Sequence, residues 1–228
     1  AAQERELVPG LTAPRHWQTR WSKADMNILI ILGHPNPLSF NHAIAKTAEA
    51  ALLERGHSVV LHDLYLEQFD PLLEADEIPQ SASIPLGIAK QCRELQETDG
   101  VVIVHPNWWG QPPAILKGWL DRVVRPGIAY RFRENDGGEG IPLGLLKARA
   151  AVVFNTSNTT PEREKRTFGD PLETLWRNCV FGLCGVDVFY RRTFGIVVTS
   201  TESQRKQWLD EVKETMDRFF PKEPEKAA

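Results

Sequence analysis

Three stretches of this chain carry residue types suited to holding a planar, negatively charged ligand. The most distinctive is His105-Pro106-Asn107-Trp108-Trp109-Gly110-Gln111-Pro112-Pro113. Two adjacent tryptophans supply a flat apolar surface, and the backbone N–H groups from Asn107 to Gly110 supply donors beside it. A heterocycle lying against Trp108 and Trp109 gains about 0.5–1.5 kcal/mol from stacking beyond its buried area. The competing reading is plain packing, with one tryptophan in the core and the other on the surface. The second stretch, Gly33 to Asn41, leads into a helix start. There His34, Ser39 and Asn41, with free backbone N–H groups and the helix dipole, suit a phosphate oxygen. Capping alone explains one polar residue but not all three. The third stretch, Asn155-Thr156-Ser157-Asn158-Thr159-Thr160, is a cluster of amides and hydroxyls that also reads as an ordinary turn. Neither GxGxxG nor GxxxxGK[ST] occurs, so the dinucleotide fingerprint and the P-loop are both absent.

Each of these stretches follows a short apolar run. Asn27 to Leu32, Ser58 to Leu64, Asp99 to Val104, Ala148 to Asn155 and Asp187 to Val198 read as strands. Helical spacing covers Ser39 to Arg55, with Gly56 as its stop, and then Ile84 to Glu97 and Ala114 to Val124. It returns over Asp170 to Cys184, with Pro171 in the first turn, and over Thr201 to Phe219. Phe69 to Pro85 is an irregular connection, Gly127 to Pro142 a long excursion, and Thr156 to Thr167 a polar loop. Strand and helix therefore alternate five times. That order predicts an α/β, flavodoxin-like three-layer fold with a five-stranded parallel sheet of order 2-1-3-4-5 and helices on both faces. Its switch point lies between strands one and three, where ligands bind in this fold class. The loops after Leu32 and Val104 flank that point. A phosphate site, an aromatic surface and a polar edge at one end of a sheet together fit a flavin nucleotide.

Composition bounds the alternatives. At 228 residues and 42% hydrophobic, the chain builds one large domain with a substantial core. A formal net charge of −3 argues against nucleic acid, and no apolar run approaches the ~20 residues of a membrane helix. Cys92, Cys179 and Cys184 are odd in number and scattered, which suggests reduced, small core residues in a cytoplasmic protein. Residues 1–25 lack a strand pattern and a signal-peptide core. They read as a disordered arm or as an arm packed on the domain or a second subunit, with Trp17 and Trp21 one helical turn apart. The domain is expected at 26–220, with a charged tail at 221–228.

The chain resembles the NAD(P)H:quinone oxidoreductases of the flavodoxin-like fold. These include DT-diaphorase, the modulator of drug activity group and the ancillary oxidoreductase subunits of potassium-efflux systems. The resemblance rests on Gly33-His34-Pro35 with Ser39-Phe40-Asn41, and on Pro106 to Gly110 running through Pro113-Ala114-Ile115-Leu116-Lys117-Gly118-Trp119 to Asp121-Arg122-Val123. Ala129-Tyr130, Gly169-Asp170, Leu175-Trp176 and the Glu202 to Arg205 turn extend it. It implies a tightly bound flavin, FMN or FAD with FMN slightly favoured, that takes hydride from NADH or NADPH and passes two electrons to a quinone in ping-pong fashion. On that basis His34, Ser39, Phe40 and Asn41 hold the phosphate region. Pro106, Asn107, Trp108, Trp109 and Gly110 hold the ring, with Asn155, Thr156 and Ser157 near its polar edge. Glu202 and Arg205 match positions near the adenine end in FAD-binding members. The resemblance further implies a homodimer, with Tyr130 closing the partner's pocket.

This chain departs from the mammalian-type pattern in two ways. Thr156-Ser157-Asn158 stands where those members carry Thr-Gly-Gly, and Glu162 and Phe168 stand where they carry a tyrosine and a histidine. A phenylalanine relays no proton, so either Glu162, the candidate catalytic group, Arg163 or water serves instead, or flavin reduction needs no side-chain relay. The alternative function is a flavin-carrying regulatory subunit of a potassium-efflux-type membrane transporter, docked through Trp17 and Trp21. A one-electron flavodoxin is disfavoured by the modest charge and the 127–142 excursion. Trp119 falls on the buried side of its helix, so Trp108→Ala is expected to lower the flavin retained through purification more than Trp119→Ala, which chiefly costs stability. Equal flavin loss in the two variants contradicts the assignment.

Overall fold

Val101 to Val104 are buried without interruption, as a strand covered on both faces requires. They form the middle of a parallel sheet in a computed structural model that describes residues 25–135 and 137–222. The elements in chain order are β1 (Asn27–Leu32), α1 (Phe40–Glu54), β2 (Ser58–Asp63), α2 (Leu86–Glu97), β3 (Gly100–Pro106) and α3 (Ala114–Val123). There follow β4 (Tyr130–Phe132), β5 (Pro142–Gly144), β6 (Ala150–Ser157), α4 (Pro161–Arg163), α5 (Pro171–Glu173), β7 (Val188–Gly195) and α6 (Glu202–Phe219).

The main sheet has the order β2-β1-β3-β6-β7, with every pair parallel. Numbered among themselves, these five strands follow the expected 2-1-3-4-5. The extra numbers come from the 127–142 excursion, where β4 and β5 pair antiparallel as a hairpin. Alternation along the strands feeds two cores. Leu29, Ile31, Val101, Ile103, Ala151 and Val153 meet α2, α3 and the segment after α5. Ile28, Ile30, Val102, Val104, Val152 and Phe154 meet α1 and α6. On the first side, α3 approaches the 69–85 connection at Gly118, where an added Cβ would sit 2.3 Å from the Pro71 carbonyl oxygen.

Four expectations need correction. Strands β3 and β6 each run two residues past their predicted ends, because the ladder continues through His105↔Asn155 and Pro106↔Thr156. The predicted loop at 156–167 holds α4 and a wide π-type turn, Glu164–Phe168. The helix predicted over 170–184 is regular only in α5 and then continues in π geometry through Thr174–Gly182. Cys92 and Cys184 are buried, whereas Cys179 is exposed on that segment. The arm at 1–25, with Trp17 and Trp21, lies outside the described residues apart from Asp25, as does the tail beyond Lys222. No described helix is long and apolar enough to cross a membrane.

Where β3 and β6 extend, they carry polar side chains into the core. His105 is fully buried. Its Nδ1–H donates to the Pro106 carbonyl at 2.8 Å, which leaves Nε2 as an acceptor. Nε2 takes the Trp176 indole N–H at 3.0 Å and the Asn155 amide at 2.8 Å. Arg191 fixes the amide's orientation by donating to Asn155 Oδ1 at 3.2 Å. Arg191 also pairs with Asp170 and with Glu173. Burial raises the Glu173 carboxyl, but hydrogen bonds from Arg191 and Arg177 outweigh it and hold the group below its usual range. Burial, partly offset by the Pro106 carbonyl, depresses His105 to about 4.

A histidine depressed on folding destabilises the folded state as pH falls. Between its unfolded value near 6.5 and the folded value of about 4, the unfolded chain binds a proton that the folded chain does not. This group's contribution is therefore fully present above about pH 6.5 and declines below it, by roughly 2 kcal/mol at about pH 5. Urea unfolding at pH 7 and pH 5 measures the loss. His105→Gln, which gains no proton, is expected to flatten that dependence, and an unchanged slope refutes the assignment.

Candidate functional site

A parallel sheet delivers the carboxyl ends of all its strands to one edge. The ladder continues past the strands there, with Gly33 N–H bonded to Val104 O at 2.9 Å and Asn107 N–H to Thr156 O at 2.7 Å. The loops that leave this edge surround a cleft of about 690 Å3, within the usual range for small-molecule sites. His34, Ser39, Phe40, Asn41, Pro106, Asn107, Trp108, Trp109, Gly110, Thr156 and Ser157 all line it. The three stretches singled out in the sequence therefore meet in one place.

One end of the cleft is built around the start of α1. Ser39 is its N-cap, accepting the His42 N–H at 3.3 Å. The N–H groups of Phe40 and Asn41 head the helix, where no helical carbonyl can reach them. The His34 Nδ1 accepts the Asn36 N–H at 3.1 Å, so the neutral ring carries its proton on Nε2 and can donate outward. Burial is the main cause holding His34 below the ordinary histidine value. Asn41 is buried, and its amide bonds the Thr156 hydroxyl at 2.9 Å, tying α1 to the end of β6.

The tryptophan loop works differently from the sequence expectation. Its N–H groups mostly close the loop on itself. Asn107 bonds across to Thr156, Trp108 to the Gln111 carbonyl at 3.1 Å, and Gly110 to Asn107 Oδ1 at 3.0 Å. Of the four N–H groups from Asn107 to Gly110, three are spent on rigidity. The aromatic surface remains. Trp108 is half-buried, with its ring 6.0 Å from that of His34. Trp109 is fully exposed and left-handed at φ 58°. Gly110, at φ 70°, lets the loop lie on Pro171, where a Cβ would come within 2.7 Å.

The far wall contains residues that the strand patterns did not reveal. Glu164, Phe168, Pro171, Val197 and Val198 line it beside Asn158 and Thr159 of the third stretch. The wide turn at 164–168 turns Glu164 inward, where the residue is nine-tenths buried. Gly169 and Asp170 are both left-handed, and this reversal lets Phe168 and Pro171 both line the cleft. The Gly169-Asp170 pair was the one sequence signal for that turn. Asn158 accepts the Val198 N–H at 3.0 Å and joins the loops after β6 and β7.

Five selected residues lie elsewhere. Asn155 points from β6 into the core beside His105, because strand alternation sends it to the opposite face from Thr156. Glu162 sits in the exposed first turn of α4, two residues short of Glu164. Glu202 and Arg205 are exposed in the first turn of α6 and do not line the cleft. Tyr130 is half-buried on β4, where it packs against Phe132. No group of three or more histidine, cysteine or carboxylate side chains among the described residues is arranged for a metal.

A helix-start donor set and an aromatic surface sharing one cleft fit the phosphate and ring of a flavin nucleotide. Known proteins similar to this chain include oxidoreductases. An NAD(P)H oxidoreductase of Haemophilus influenzae is 34% identical over 189 residues, covering 81% of this chain and 91% of that one. NAD(P)H dehydrogenase [quinone] 1 of Rattus norvegicus is 35% identical over 219 residues, covering 86% and 78%. An FMN-dependent NADH-azoreductase of Bacillus anthracis, solved in complex with FMN, shares the fold with a TM-score of 0.68 at 16% identity, covering 85% of this chain and 98% of that one. The family described by its flavodoxin-like fold matches residues 26–219, and this chain belongs to it.

Proposed function

We propose that this chain is a flavin-dependent NAD(P)H:quinone oxidoreductase. The observation that carries the reading is the convergence of the α1 donor set with Trp108 and Trp109 in one cleft at the switch point of the sheet. A flavin bound there supplies two-electron hydride chemistry, which the protein's own side chains lack. His34, Ser39 and the first N–H groups of α1 hold its phosphate, and Pro106 to Gly110 and Phe168 bound its ring. An open aromatic cleft admits a nicotinamide and then a flat acceptor such as a quinone on the same side, consistent with ping-pong turnover.

FMN fits better than FAD, because Glu202 and Arg205, the residues matched to the adenine end, stand outside the cleft. Glu164 takes the role first given to Glu162. It is the carboxylate that lines the cleft, and it stands four residues before Phe168 on the same wall. Its task is to hold or accept a proton at the polar rim. The exposed Trp109, Phe168 and Val198, which line the cleft, form an apolar rim suited to a second copy of the chain, whose Tyr130 would cover the cleft.

Releasing the flavin by denaturation and identifying it, followed by assays of NADH and NADPH against a benzoquinone, tests the reading. A colourless protein without affinity for added flavin overturns it. Glu164→Gln is expected to lower kcat/KM on the order of a hundredfold. Glu162→Gln is expected to leave it within about twofold, as for an exposed residue outside the site. The reverse ranking refutes the assignment of Glu164.

A further inference from the structure

Behind Ser39 lies a chain of hydrogen bonds that the flavin reading does not use. Ser39 Oγ stands 2.9 Å from His42 Nδ1, and His42 Nε2 stands 2.9 Å from Asp63 Oδ2. His42 and Asp63 are both at least nine-tenths buried, and Ser39 alone of the three opens into the cleft. Asp63 comes from the end of β2 and spends its other oxygen on the Leu66 N–H at 3.2 Å.

The proton positions follow from the chemistry of the groups. An ionised carboxylate only accepts, so the proton of a neutral His42 sits on Nε2, facing Asp63. Nδ1 is then an acceptor and takes the one hydroxyl proton of Ser39. In that state Ser39 turns only lone pairs toward the cleft, which repel an anion. When His42 gains a proton, Nδ1–H donates to Ser39 Oγ instead, and the hydroxyl proton is free to point into the cleft.

We propose that His42, held by Asp63, is a positioning residue that couples phosphate binding in the cleft to uptake of one proton, through reversal of the Ser39–His42 hydrogen bond. The inference rests on the reading of the α1 end as the flavin phosphate site. The proton comes from solvent, and no covalent bond changes. The protonated form presents an N–H to Ser39, an O–H to the phosphate and a buried positive charge one residue behind it. Charge-assisted bonds of this type are the strong ones. The titratable groups facing His42 are Asp63 from β2 and His34 from the β1–α1 loop, whose ring lies 6.2 Å away. On α1 itself, Lys46 one turn on is exposed. Asp63 is the ion-pair partner of His42 among the described residues. The arrangement predicts that His34 stays neutral while His42 is charged, since like charges at that range disfavour each other.

FMN binding to flavin-stripped protein, followed by calorimetry in buffers of different ionisation enthalpy, tests the proposal. Riboflavin, which has no phosphate, serves as the control. Wild type is expected to take up more protons with FMN than His42→Asn does, and to lose more affinity than that variant when the pH is raised. His42→Asn keeps a hydrogen-bonding group near the Nδ1 position without the charge. It is expected to bind FMN about tenfold more weakly at the lower pH and equally at the higher, with riboflavin affinity unchanged. Ser39→Ala retains the His42–Asp63 pair and is expected to lose the same proton uptake, which guards against a folding defect in the first variant. The imidazole 15N signals of His42, assigned with His42→Asn, should move to the doubly protonated position when FMN binds and not when riboflavin binds. FMN bound by both wild type and His42→Asn with the same proton uptake overturns the relay and leaves the flavin reading standing. Wild-type protein that binds no flavin overturns both.

Discussion

A buried histidine that cannot be charged without losing two hydrogen bonds governs the carboxyl edge of this sheet. His105 accepts from both Trp176 and Asn155 at Nε2 and donates to Pro106 at Nδ1. In one contact it sets where β3 ends, because Pro106 begins the tryptophan loop. In another it sets where the segment after α5 packs, because Trp176 lies in the same core. The group has no solvent to fall back on, so every partner must be present at once. Arg191 completes the arrangement from β7 by orienting Asn155 and pairing with Asp170 and Glu173. Three strands and the chain crossing beside them are thereby fixed under the floor of the cleft.

Rigidity above that floor comes from polar groups that bond one another. Asn41 and Thr156 satisfy each other across α1 and β6, Asn107 closes its own loop onto Gly110, and Asn158 ties down Val198. These residues look like ligand-binding groups by type, yet much of their capacity goes into the walls. What remains open to a ligand is narrower than the polar composition suggests. It includes the first N–H groups of α1, the outward nitrogen of His34, the Ser39 hydroxyl, the Glu164 carboxylate and the faces of the aromatics. That division suits a cofactor held by a few strong contacts in a preorganised site.

The far wall depends on backbone conformations that few side chains favour. Trp109 and Asp170 are left-handed without being glycine, a conformation that costs on the order of 1 kcal/mol or more for such residues. Asp170 is held by its ion pair with Arg191, and Gly110 beside Trp109 is the one residue that could pass so close to Pro171. The wide turns at 164–168 and 174–182 belong to the same region, and such turns concentrate at functional sites. The first of them turns Glu164 inward and sets Phe168 at the cleft while Glu162 faces solvent.

Periodicity alone determined the layered α/β fold and the strand order, because buried strands and amphipathic helices write their burial directly into residue spacing. The same reading located the cleft, since a parallel sheet of that order has one switch point and the loops after Leu32 and Val104 must lie there. Single-residue assignments needed the tertiary structure. Asn155 and Thr156 are adjacent and similar in the sequence, but a strand sends one to the core and the other to the cleft. Glu162 lies just before, and Glu164 begins, a wide turn whose extra residue no local pattern announces. The carboxylate partner of His42 on α1, Asp63, comes from β2, 21 residues on. Long-range contacts of that kind decide which polar group faces a ligand and which holds the wall, and a linear sequence records neither.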